Sequence, residues 1–359
     1  MKVQVYPVNK LSREHLSAWS EIQLASSECD SPYFRPEFHQ LAGKVGRPVL
    51  VGVMKEGDRP VGFFPFERGA FGTARPVARR LSDFHGAIVA PGVEWCAKTL
   101  LQGCGLRRFC FDHLVATQKQ FITGPVTTAP SPVADLSDGF PAYWERLRQR
   151  GERELDRVFK KRKKMERQFG PIHFCLHQPS HATLAMCIKW KSSQYQRTGA
   201  LNCFRRPWAV ELLRLISSTD SPHFSGVVST LSVQDELVAV HVGMRSASVF
   251  HHWFPAHNSE HLCAKHSPGL QLLTHMLEGC ASTGIGRIDF GKGDYSYKRD
   301  FGTGELRVAE GECGNASLRS TLNQSLSGAK GWCKTVAERV GLITPIRWYR
   351  GTREWLAMR

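Results

Sequence analysis

The residues best suited to chemistry follow a short apolar run near residue 290. Arg287–Phe290 is predicted to form a buried strand, and Gly291 and Gly293 then allow the backbone to turn. The polar and titratable side chains that come next are Asp294, Tyr295, Tyr297, Lys298 and Arg299. A strand end that presents such groups through a glycine turn is a common way to build a site on an α/β fold. The alternative is a plain turn with solvated charges.

Four of these side chains are given chemical roles. Asp294 can accept a proton or orient Lys298, whose ammonium group can hold an anion. Tyr297 can donate a proton to a leaving group, and Tyr295 is assigned to substrate binding. We rank Asp294 and Lys298 above the histidines as candidate catalytic residues. An aspartate and a lysine after a glycine turn are less readily explained by a structural role than a histidine is.

Two further pairs of polar residues lie outside this segment. His251 and His252 alternate faces on a predicted strand, so one of them faces the cleft, and we take His252 as a candidate base. Asp83 and His85 are two residues apart, and both are assigned to substrate binding because an extended segment places them on one face. The structural alternatives are a hydrogen-bonded histidine and a capped turn.

The net charge of +16 at pH 7 implies anionic partners such as nucleic acid, a phosphorylated cofactor or a membrane surface. Much of it falls in one helical segment, whose cationic residues are Arg157, Lys160, Lys161, Arg162, Lys163, Lys164 and Arg167. Such a helix suits phosphates, and Arg162 is assigned to substrate binding. The alternative is a solvated helix face. Nucleic acid is disfavoured because no interleaved aromatic platform is present, although tRNA is not excluded.

The first 138 residues are predicted to form a mixed α/β unit. The predicted strands are 2–7, 48–54, 60–66, 80–89 and 106–113, and the predicted helices are 13–25 and 94–103. The sequence Lys-Glu-Gly-Asp-Arg joins 48–54 to 60–66, which indicates a β-hairpin. Residues 126–138 are rich in Thr, Pro, Ser and Asp and are predicted to be a linker or crossing segment.

Residues 139–315 are predicted to form a second unit that begins with a helix over 140–150 and the basic helix, which ends at 169. The further predicted strands are 172–177, 224–231, 237–244, 248–254 and 287–290, and the further helices are 182–196, 206–217 and one that starts at Pro268. Antiparallel hairpins followed by a strand–helix–strand unit are typical of an α+β fold with a mixed sheet. The two units match in element order and not in residue identity.

Residues 316–359 are predicted to be a separate basic amphipathic C-terminal segment. A helix packed on the body is favoured, and the alternative is a helix that lies on an anionic membrane through 318–359. No apolar run approaches the roughly 20 residues needed to cross a bilayer. The 11 cysteines contain no Cys-x-x-Cys pair, so neither a zinc site nor a redox motif is expected, and we place the protein in the cytoplasm.

Four strings, taken in order, resemble one branch of the GNAT acyltransferases. They are Asp83-Phe-His-Gly-Ala-Ile-Val-Ala-Pro-Gly, His251-His-Trp-Phe-Pro-Ala-His, Ser267-Pro-Gly-Leu and Asp289-Phe-Gly-Lys-Gly-Asp-Tyr-Ser-Tyr-Lys-Arg-Asp-Phe-Gly. Together they are similar to the acetyltransferase domain of bacterial cellulose-biosynthesis-type proteins, which is related to Fem-type peptidyl transferases. The resemblance covers residues 1–315 and implies two tandem GNAT-like halves.

The resemblance also implies where an acyl donor binds. GNAT folds carry a phosphate loop, Arg/Gln-x-x-Gly-x-Gly/Ala, between a strand and a helix, and the corresponding segment here is 261–270. Pro268 removes one N–H donor from this loop. The remaining N–H groups and the helix dipole can still form an anion site. The residues assigned to this site are Lys265, Ser267, Gly269 and Leu270. The alternative to acetyl-CoA is a different acyl carrier, such as acyl carrier protein or an aminoacyl-tRNA.

The predicted function is a GNAT-type acyltransferase. It transfers an acyl group, first of all acetyl from acetyl-CoA, to an amine or hydroxyl of a small-molecule or saccharide acceptor in cell-surface polysaccharide biosynthesis. No metal is expected. By resemblance, Lys298 faces the transferred acyl group or an anionic substrate. Two alternatives stay open: a peptidyl transferase that uses aminoacyl-tRNA, and a non-catalytic module that recruits a polysaccharide assembly complex.

Overall fold

The computed structural model describes residues 1–293 and 295–314. Asp294 and residues 315–359 lie outside the described residues. The role predicted for Asp294 and the membrane contact predicted for 318–359 therefore stay predictions. Within the described ranges, no helix combines the length and the apolar character that a membrane crossing requires.

One large mixed sheet dominates the described residues. Its strands are β1 (Lys2–Pro7), β2 (Val49–Glu56), β3 (Arg59–Arg68), β4 (Thr73–Arg75), β5 (Ile88–Val89), β6 (Arg108–Val115), β7 (Thr127–Asp135), β8 (Ile172–Cys175), β9 (Asp220–Ser221), β10 (Phe224–Val233), β11 (Glu236–Arg245), β12 (Val249–His257), β13 (Arg287–Asp289) and β14 (Gly304–Gly314). Their order across the sheet is β1-β2-β3-β4-β6-β14-β7-β13-β12-β11-β10-β8, with β5 paired to β3 and β9 to β10. β12 pairs with β13, and β4 with β6, in parallel.

Helices cover the faces of this sheet. They are α1 (Arg13–Ala25), α2 (Pro36–Lys44), α3 (Ala97–Gly103), α4 (Gly139–Gln149), α5 (Glu154–Phe169), α6 (His181–Thr198), α7 (Pro207–Ser217), α8 (Pro268–Ser282) and α9 (Ser296–Phe301). The predicted mixed α/β class is confirmed. Every helix predicted within the described residues is present, with ends shifted by a few residues.

Two halves of the chain repeat one order of elements. We call residues 1–138 the first half and residues 139–314 the second half. If β4 and β5 in the first half and β9 and β12 in the second are left out, the order strand, two helices, hairpin, helix, strand appears as β1-α1-α2-β2-β3-α3-β6 and again as β8-α6-α7-β10-β11-α8-β13. The strands of the first half follow chain order towards the centre of the sheet, and those of the second half run in reverse order away from it. The last strand of each half pairs with the other half: β14 pairs with β6, and β7 pairs with β13. This arrangement is the predicted tandem.

The two halves share a hydrophobic core. Trp19 of α1 and Phe38 of α2 belong to the same buried cluster as Leu212 of α7 and Phe254 of β12. Trp19 is fully buried and stacks on Phe63 with ring centroids 5.0 Å apart. Each large side chain buried in this way contributes roughly 1.5–3 kcal/mol. Because the cluster joins both halves, it fixes their relative position.

The prediction of a linker over 126–138 is wrong. Residues 127–135 form β7, which lies between β14 and β13 near the sheet centre. Pro130 and Pro132 misled the sequence argument, because proline is normally confined to sheet edges. Here both prolines face the turn after β13, where their carbonyl groups accept hydrogen bonds from the N–H groups of Gly293 and Phe290. The side of each proline that lacks an N–H group therefore lies next to a turn, where no regular strand pairing is interrupted.

The strand predicted over 80–89, with an interruption at Ser82-Asp-Phe-His-Gly, is present only after that interruption. Only Ile88–Val89 is extended as β5, and Arg79–Leu81 forms a single 3-10 turn. The intervening loop carries Asp83 towards the second half. No element was predicted over 304–314, where β14 pairs with both β6 and β7 and joins the two halves.

Candidate active site

The site begins where two parallel strands stop pairing. β12 and β13 pair over three residues each, from Val249 with Arg287 to His251 with Asp289. β12 then continues to His257, while the chain after β13 turns away at Gly291. An opening at the carboxyl ends of parallel strands is a usual place for a ligand site in α/β sheets. The loop of the first half that carries Asp83 approaches this opening.

A hydrogen bond between the two halves forms the centre of the site. Nε2 of His251 lies 2.8 Å from Oδ2 of Asp83. The His251 side chain is 0% exposed, whereas that of Asp83 is 23% exposed, so Asp83 is the member of the pair that reaches solvent. Burial acts to raise the pKa of Asp83, but the hydrogen bond and charge of His251 outweigh burial and hold that pKa below its usual value. Asp83 is therefore ionised at neutral pH.

Gly291 makes room for this pair. Its φ of +73° lies in the left-handed region, which glycine adopts without steric penalty. A Cβ atom at this position would lie 2.9 Å from Oδ2 of Asp83 and 3.5 Å from Cε1 of His251. The glycine turn predicted from the sequence therefore has two effects. It lets the chain turn after β13, and it leaves space for Asp83 to approach closely.

Asp289 is a buried carboxyl group behind His251. Its Oδ1 accepts hydrogen bonds from the Ser131 hydroxyl at 2.9 Å and the Gly291 N–H at 2.7 Å, and lies 4.0 Å from Nδ1 of His251. Burial raises the pKa of Asp289 above its usual value. The sequence prediction did not single out Asp289, although its place at the end of an apolar strand was visible.

A β-bulge sets the direction of the two histidines on β12. His252 and Trp253 together oppose Gly243 of β11, since Val242 pairs with Phe254 and Met244 pairs with His251. The N–H group of Trp253 donates to Nε2 of His241 at 3.0 Å. Bulges are frequent beside active sites, where they redirect side chains.

His252 has a different environment from His251. Its buried ring stacks on that of His241 with centroids 4.5 Å apart. Burial first, and then the charges of Lys298 and His251, lower the pKa of His252 well below its usual value. His252 is consequently neutral and has little basicity near pH 7. The histidine that pairs with a carboxylate is His251, which strand alternation alone did not select.

Lys298 lies at the start of α9 and closes the glycine turn. Its Nζ donates to the carbonyl oxygens of Gly291 at 3.0 Å and Lys292 at 3.1 Å. The side chain is 6% exposed, and burial lowers the pKa of Lys298, against the opposing pull of the Asp83 and Asp289 carboxylates. An ammonium group has three N–H donors, and these two carbonyl groups are its hydrogen-bond partners among the described residues.

The two tyrosines of the same segment differ in exposure. Tyr295 is 66% exposed and its ring centroid lies 5.5 Å from Nζ of Lys298. Tyr297 is half-buried, with its ring centroid 6.3 Å from that of His252. Burial raises the pKa of Tyr297, so its phenol keeps its proton at neutral pH.

His85 does not share a face with Asp83. Its buried Nε2 accepts hydrogen bonds from the backbone N–H groups of Asp112 at 3.3 Å and His113 at 3.1 Å. Burial lowers the pKa of His85 to about 3, so the ring is neutral. His85 holds the end of β6 in place, and the hydrogen-bond partner of Asp83 is His251.

A cavity of about 470 Å³ opens in front of Asp83. It combines groups of both charges with aromatic rings. The lining residues include Arg80, Asp83, Asp112, His113, Tyr195, Trp253, Lys292, Tyr295 and Glu310. Because both halves contribute lining residues, neither half alone encloses the cavity.

The start of α8 lies against the basic helix α5. Nζ of Lys161 donates to the Ser267 hydroxyl at 2.9 Å. Ser267 occupies the N-cap position with a φ of +58° and makes no side-chain cap, while Pro268 is the first helical residue. The N–H groups of Leu270 and Gln271 already donate to the Ser267 carbonyl oxygen. Cationic side chains therefore contribute more to an anion site here than backbone N–H groups do.

Further cations surround the same helix start. Lys265 is exposed and lies over the Phe169 ring, 5.9 Å from its centroid. Burial first, and then the charges of Lys265, Lys164 and Lys161, lower the pKa of His266. Gly269 is half-buried, and a Cβ atom there would lie in ordinary contact with His257.

Arg162 lies apart from this cluster. Its Nη1 is 3.7 Å from Oε2 of Glu278 on α8, and its guanidinium packs over the Phe159 ring at 4.9 Å. Within residues 1–293 and 295–314, no group of three or more His, Cys, Asp or Glu side chains is arranged to hold a metal ion. That the reaction needs no metal stays a prediction.

Residues 142–299 match the family model described as "Acetyltransferase (GNAT) domain". The matched range contains β12, α8, β13 and the turn that carries Lys298. This part of the chain is therefore similar to an acetyltransferase domain of the GNAT type. Its sequence matches no curated protein.

Solved structures show the same fold over most of the chain. The C-terminal domain of a protein described as a lysylphosphatidylglycerol synthetase from Agrobacterium fabrum has a TM-score of 0.53 at 10% identity, over 86% of this chain and 94% of that chain. L-PGS from Bacillus licheniformis has a TM-score of 0.52 at 12% identity, over 86% and 94%. FemX has a TM-score of 0.53 at 9% identity, over 87% and 96%. Similarity at such low identity shows the fold alone, and the closer resemblance to cellulose-biosynthesis proteins stays a prediction.

Proposed function

We propose that this protein transfers an acyl group, acetyl in the first instance, from acyl-CoA to an amine or hydroxyl acceptor. The observation that carries the proposal is the hydrogen bond between Asp83 and His251 at the opening between β12 and β13. It places an ionised carboxylate at the mouth of a cavity, in a chain that is similar over residues 142–299 to a GNAT-type domain. A carboxylate held in this way can accept the proton of an incoming nucleophile.

The reaction follows from the groups around the opening. Asp83 takes the proton from the acceptor nitrogen or oxygen, which forms a bond to the acyl carbon while the carbon–sulfur bond breaks. The leaving thiolate takes a proton from the Tyr297 phenol, which is protonated at neutral pH, and the phenolate so formed regains a proton from solvent before the next turnover. The ammonium group of Lys298 offers a donor to the acyl oxygen, where negative charge develops.

The phosphates of the donor are assigned to the start of α8. Lys161, Ser267 and Lys265 lie there, with Gly269 and Leu270 in the first helical turn. Lysine ammonium groups bind phosphate as point charges, which compensates for the N–H group that Pro268 lacks. This arrangement supports a carrier with a diphosphate group such as CoA.

The cavity supports a saccharide-like acceptor. Trp253 and Tyr295 offer aromatic faces for the apolar side of a sugar ring, while Arg80, Asp112 and Lys292 offer charges for its hydroxyl and amino groups. A precursor of a cell-surface polysaccharide fits this combination. The cysteines in the described part of the chain are free thiols, which suits a reducing compartment, and we place the reaction in the cytoplasm.

Calorimetric titration with acetyl-CoA tests the donor. Wild-type protein should bind it, and Lys161→Ala combined with Lys265→Ala should weaken binding by about tenfold or more, equivalent to about 1.4 kcal/mol. Lys163→Ala is the matched control, because Lys163 is an exposed lysine on the same helix outside the assigned contacts. Absence of binding at millimolar acetyl-CoA would exclude it as the donor.

A second candidate donor is aminoacyl-tRNA. The observation in its favour is the extent of the basic face, since Lys160, Lys163, Lys164 and Arg167 are all exposed along the 16 residues of α5. A single diphosphate does not need so long a face. For this donor, Lys163→Ala should weaken tRNA binding and lower its salt dependence, whereas the same change should leave CoA binding unaltered.

A further inference from the structure

A second acid–imidazole pair faces the same cavity from the first half. Nδ1 of His113 lies 3.2 Å from Oδ1 of Asp112, and Nε2 of His113 lies 3.9 Å from Oδ1 of Asp83. The His113 side chain is 16% exposed and lines the cavity. Asp83 thus lies between two imidazoles, with His251 on one carboxylate oxygen and His113 near the other.

The backbone around His113 is firmly held. The N–H groups of Asp112 and His113 donate to the His85 ring, and the N–H group of His85 donates to the His113 carbonyl oxygen. Nζ of Lys292 donates to the Asp112 carbonyl oxygen at 2.9 Å. These contacts give His85 a role that the sequence did not suggest: it fixes the strand end that carries His113.

The two histidines beside Asp83 differ in access. His251 is sealed, with 0% exposure and the Tyr33 ring packed edge-on at 4.8 Å. A proton passed to His251 has no direct route to solvent. His113 opens on the cavity and can exchange protons with the water in it.

We propose that His113 is a catalytic residue that carries the reacting proton from Asp83 to solvent. The inference rests on the proposed acyltransferase function. The proton leaves the acceptor for Oδ1 of Asp83 and moves from there to Nε2 of His113 once the two side chains close the 3.9 Å between these atoms to hydrogen-bond distance. The imidazolium so formed has its Nδ1 3.2 Å from Oδ1 of Asp112, and it then releases the proton from Nε2 to water. Asp83 returns to its ionised form for the next turnover.

The surrounding charges favour this direction of transfer. Burial acts against ionisation of Asp112, but the His113 hydrogen bond and the nearby His85 and His113 charges lower its pKa to about 2. An ionised Asp112 stabilises the imidazolium of His113. The charged and titratable groups that face His113 or line the cavity with it are Asp83, His85, Asp112, Arg80, Lys292 and Glu310.

Chemical rescue tests the proposal. His113→Ala should lower the transfer rate by about 100-fold, within the range for loss of a general acid–base group, and leave acetyl-CoA binding unchanged. Added imidazole should restore much of the rate, because the vacated space opens on the cavity. His251→Ala is the matched comparison and should not respond to imidazole, because its site is sealed. A wild-type rate in His113→Ala, or a loss that imidazole does not reverse in a folded variant, overturns the proposal.

A second readout does not depend on turnover. The NMR signal of the His113 Cε1–H should differ between the wild type and Asp83→Asn, because the carboxylate 3.9 Å from Nε2 of His113 loses its charge. A His113 signal that ignores Asp83→Asn contradicts the inference. If the NMR shift appears but the wild type transfers no acyl group, the proposed function fails and the coupling of the two groups stands.

Discussion

The two halves share an order of elements but differ at the helix that follows the central strands. In the second half, α8 has 15 residues, starts at Pro268 and lies against the cations of α5. In the first half, the corresponding α3 has seven residues, and its N-cap Cys96 makes no side-chain capping bond. The 15-residue helix α8 starts beside Lys161 and Lys265 and therefore attracts anions more strongly than the seven-residue α3, whose first turn carries Lys98 alone.

The side chains around the cavity are divided between the halves in the opposite sense. Asp83, Asp112 and His113, which surround the cavity with acids and an imidazole, all come from the first half. The second half supplies His251, sealed from solvent, and Lys298, which is tied to the glycine turn. Under the proposed function, we infer a division of roles: the second half would hold the acyl carrier, and the first half would supply the groups that move the proton.

Asp83→Asn should have the largest effect on the transfer rate. The amide cannot take a proton from the acceptor, so the transfer rate should fall by about 100- to 10,000-fold while the affinity for acetyl-CoA stays unchanged. Steady-state kinetics and calorimetry on the same protein measure both quantities. Asp58→Asn, an exposed aspartate of the same half, is the control and should behave as the wild type. Full activity in Asp83→Asn would falsify the assignment of the base to the first half.

Gly291→Ala should damage the contact between the halves. Its Cβ would lie 2.9 Å from Oδ2 of Asp83, and a non-glycine residue at φ +73° is strained by about 1 kcal/mol. We expect about a tenfold loss of transfer rate together with a small loss of stability in urea unfolding.

Gly284→Ala separates these two effects. Gly284 has a φ of +82°, but nothing lies within 4 Å of its added Cβ. It should therefore show the same loss of stability without the loss of transfer. Equal activity in the two variants would mean that the space beside Asp83 is not needed.

The buried His85 of the first half should make stability depend on pH. Its pKa in the folded protein is about 3, below its ordinary value of 6.5, so the unfolded chain takes up a proton first as pH falls. Stability is therefore lost as pH falls from about 6.5 towards about 3, by up to about 1.4 kcal/mol per pH unit for this group.

Urea unfolding of His85→Gln checks this sign. The free energy of unfolding should fall less steeply with decreasing pH in this window, because one fewer group takes up a proton on unfolding. The exposed His223→Gln should keep the wild-type slope. A slope in His85→Gln as steep as that of the wild type would show that His85 does not stay neutral in the folded protein.

Local patterns in the sequence predicted most of the fold. The hairpin β2–β3, the helices α6 and α8 and the strand β13 each follow from periodicity, turn residues and capping within a short window. β7 did not, because its prolines are acceptable only next to a turn from another part of the chain. β14 pairs with strands about 180 residues earlier, and no local pattern indicates such pairing.

The site was predictable in part for the same reason. The glycine turn and Lys298 form a local pattern, and the structure brings Lys298 into the site. Asp83 was named, but its partner His251 is 168 residues away, and the bulge at His252 and Trp253 alters the alternation on which the choice of His252 rested. The sequence shows that Asp112 and His113 are adjacent, but it does not indicate that both line a cavity beside Asp83.

A crystal structure of the protein with acetyl-CoA tests the division of roles most directly. The account predicts the diphosphate at the start of α8, in contact with Lys161 and Lys265, and the thioester between β12 and β13 facing Asp83. A complex in which the carrier lies against α3 and β6 of the first half, or in which the thioester points away from Asp83, would contradict it.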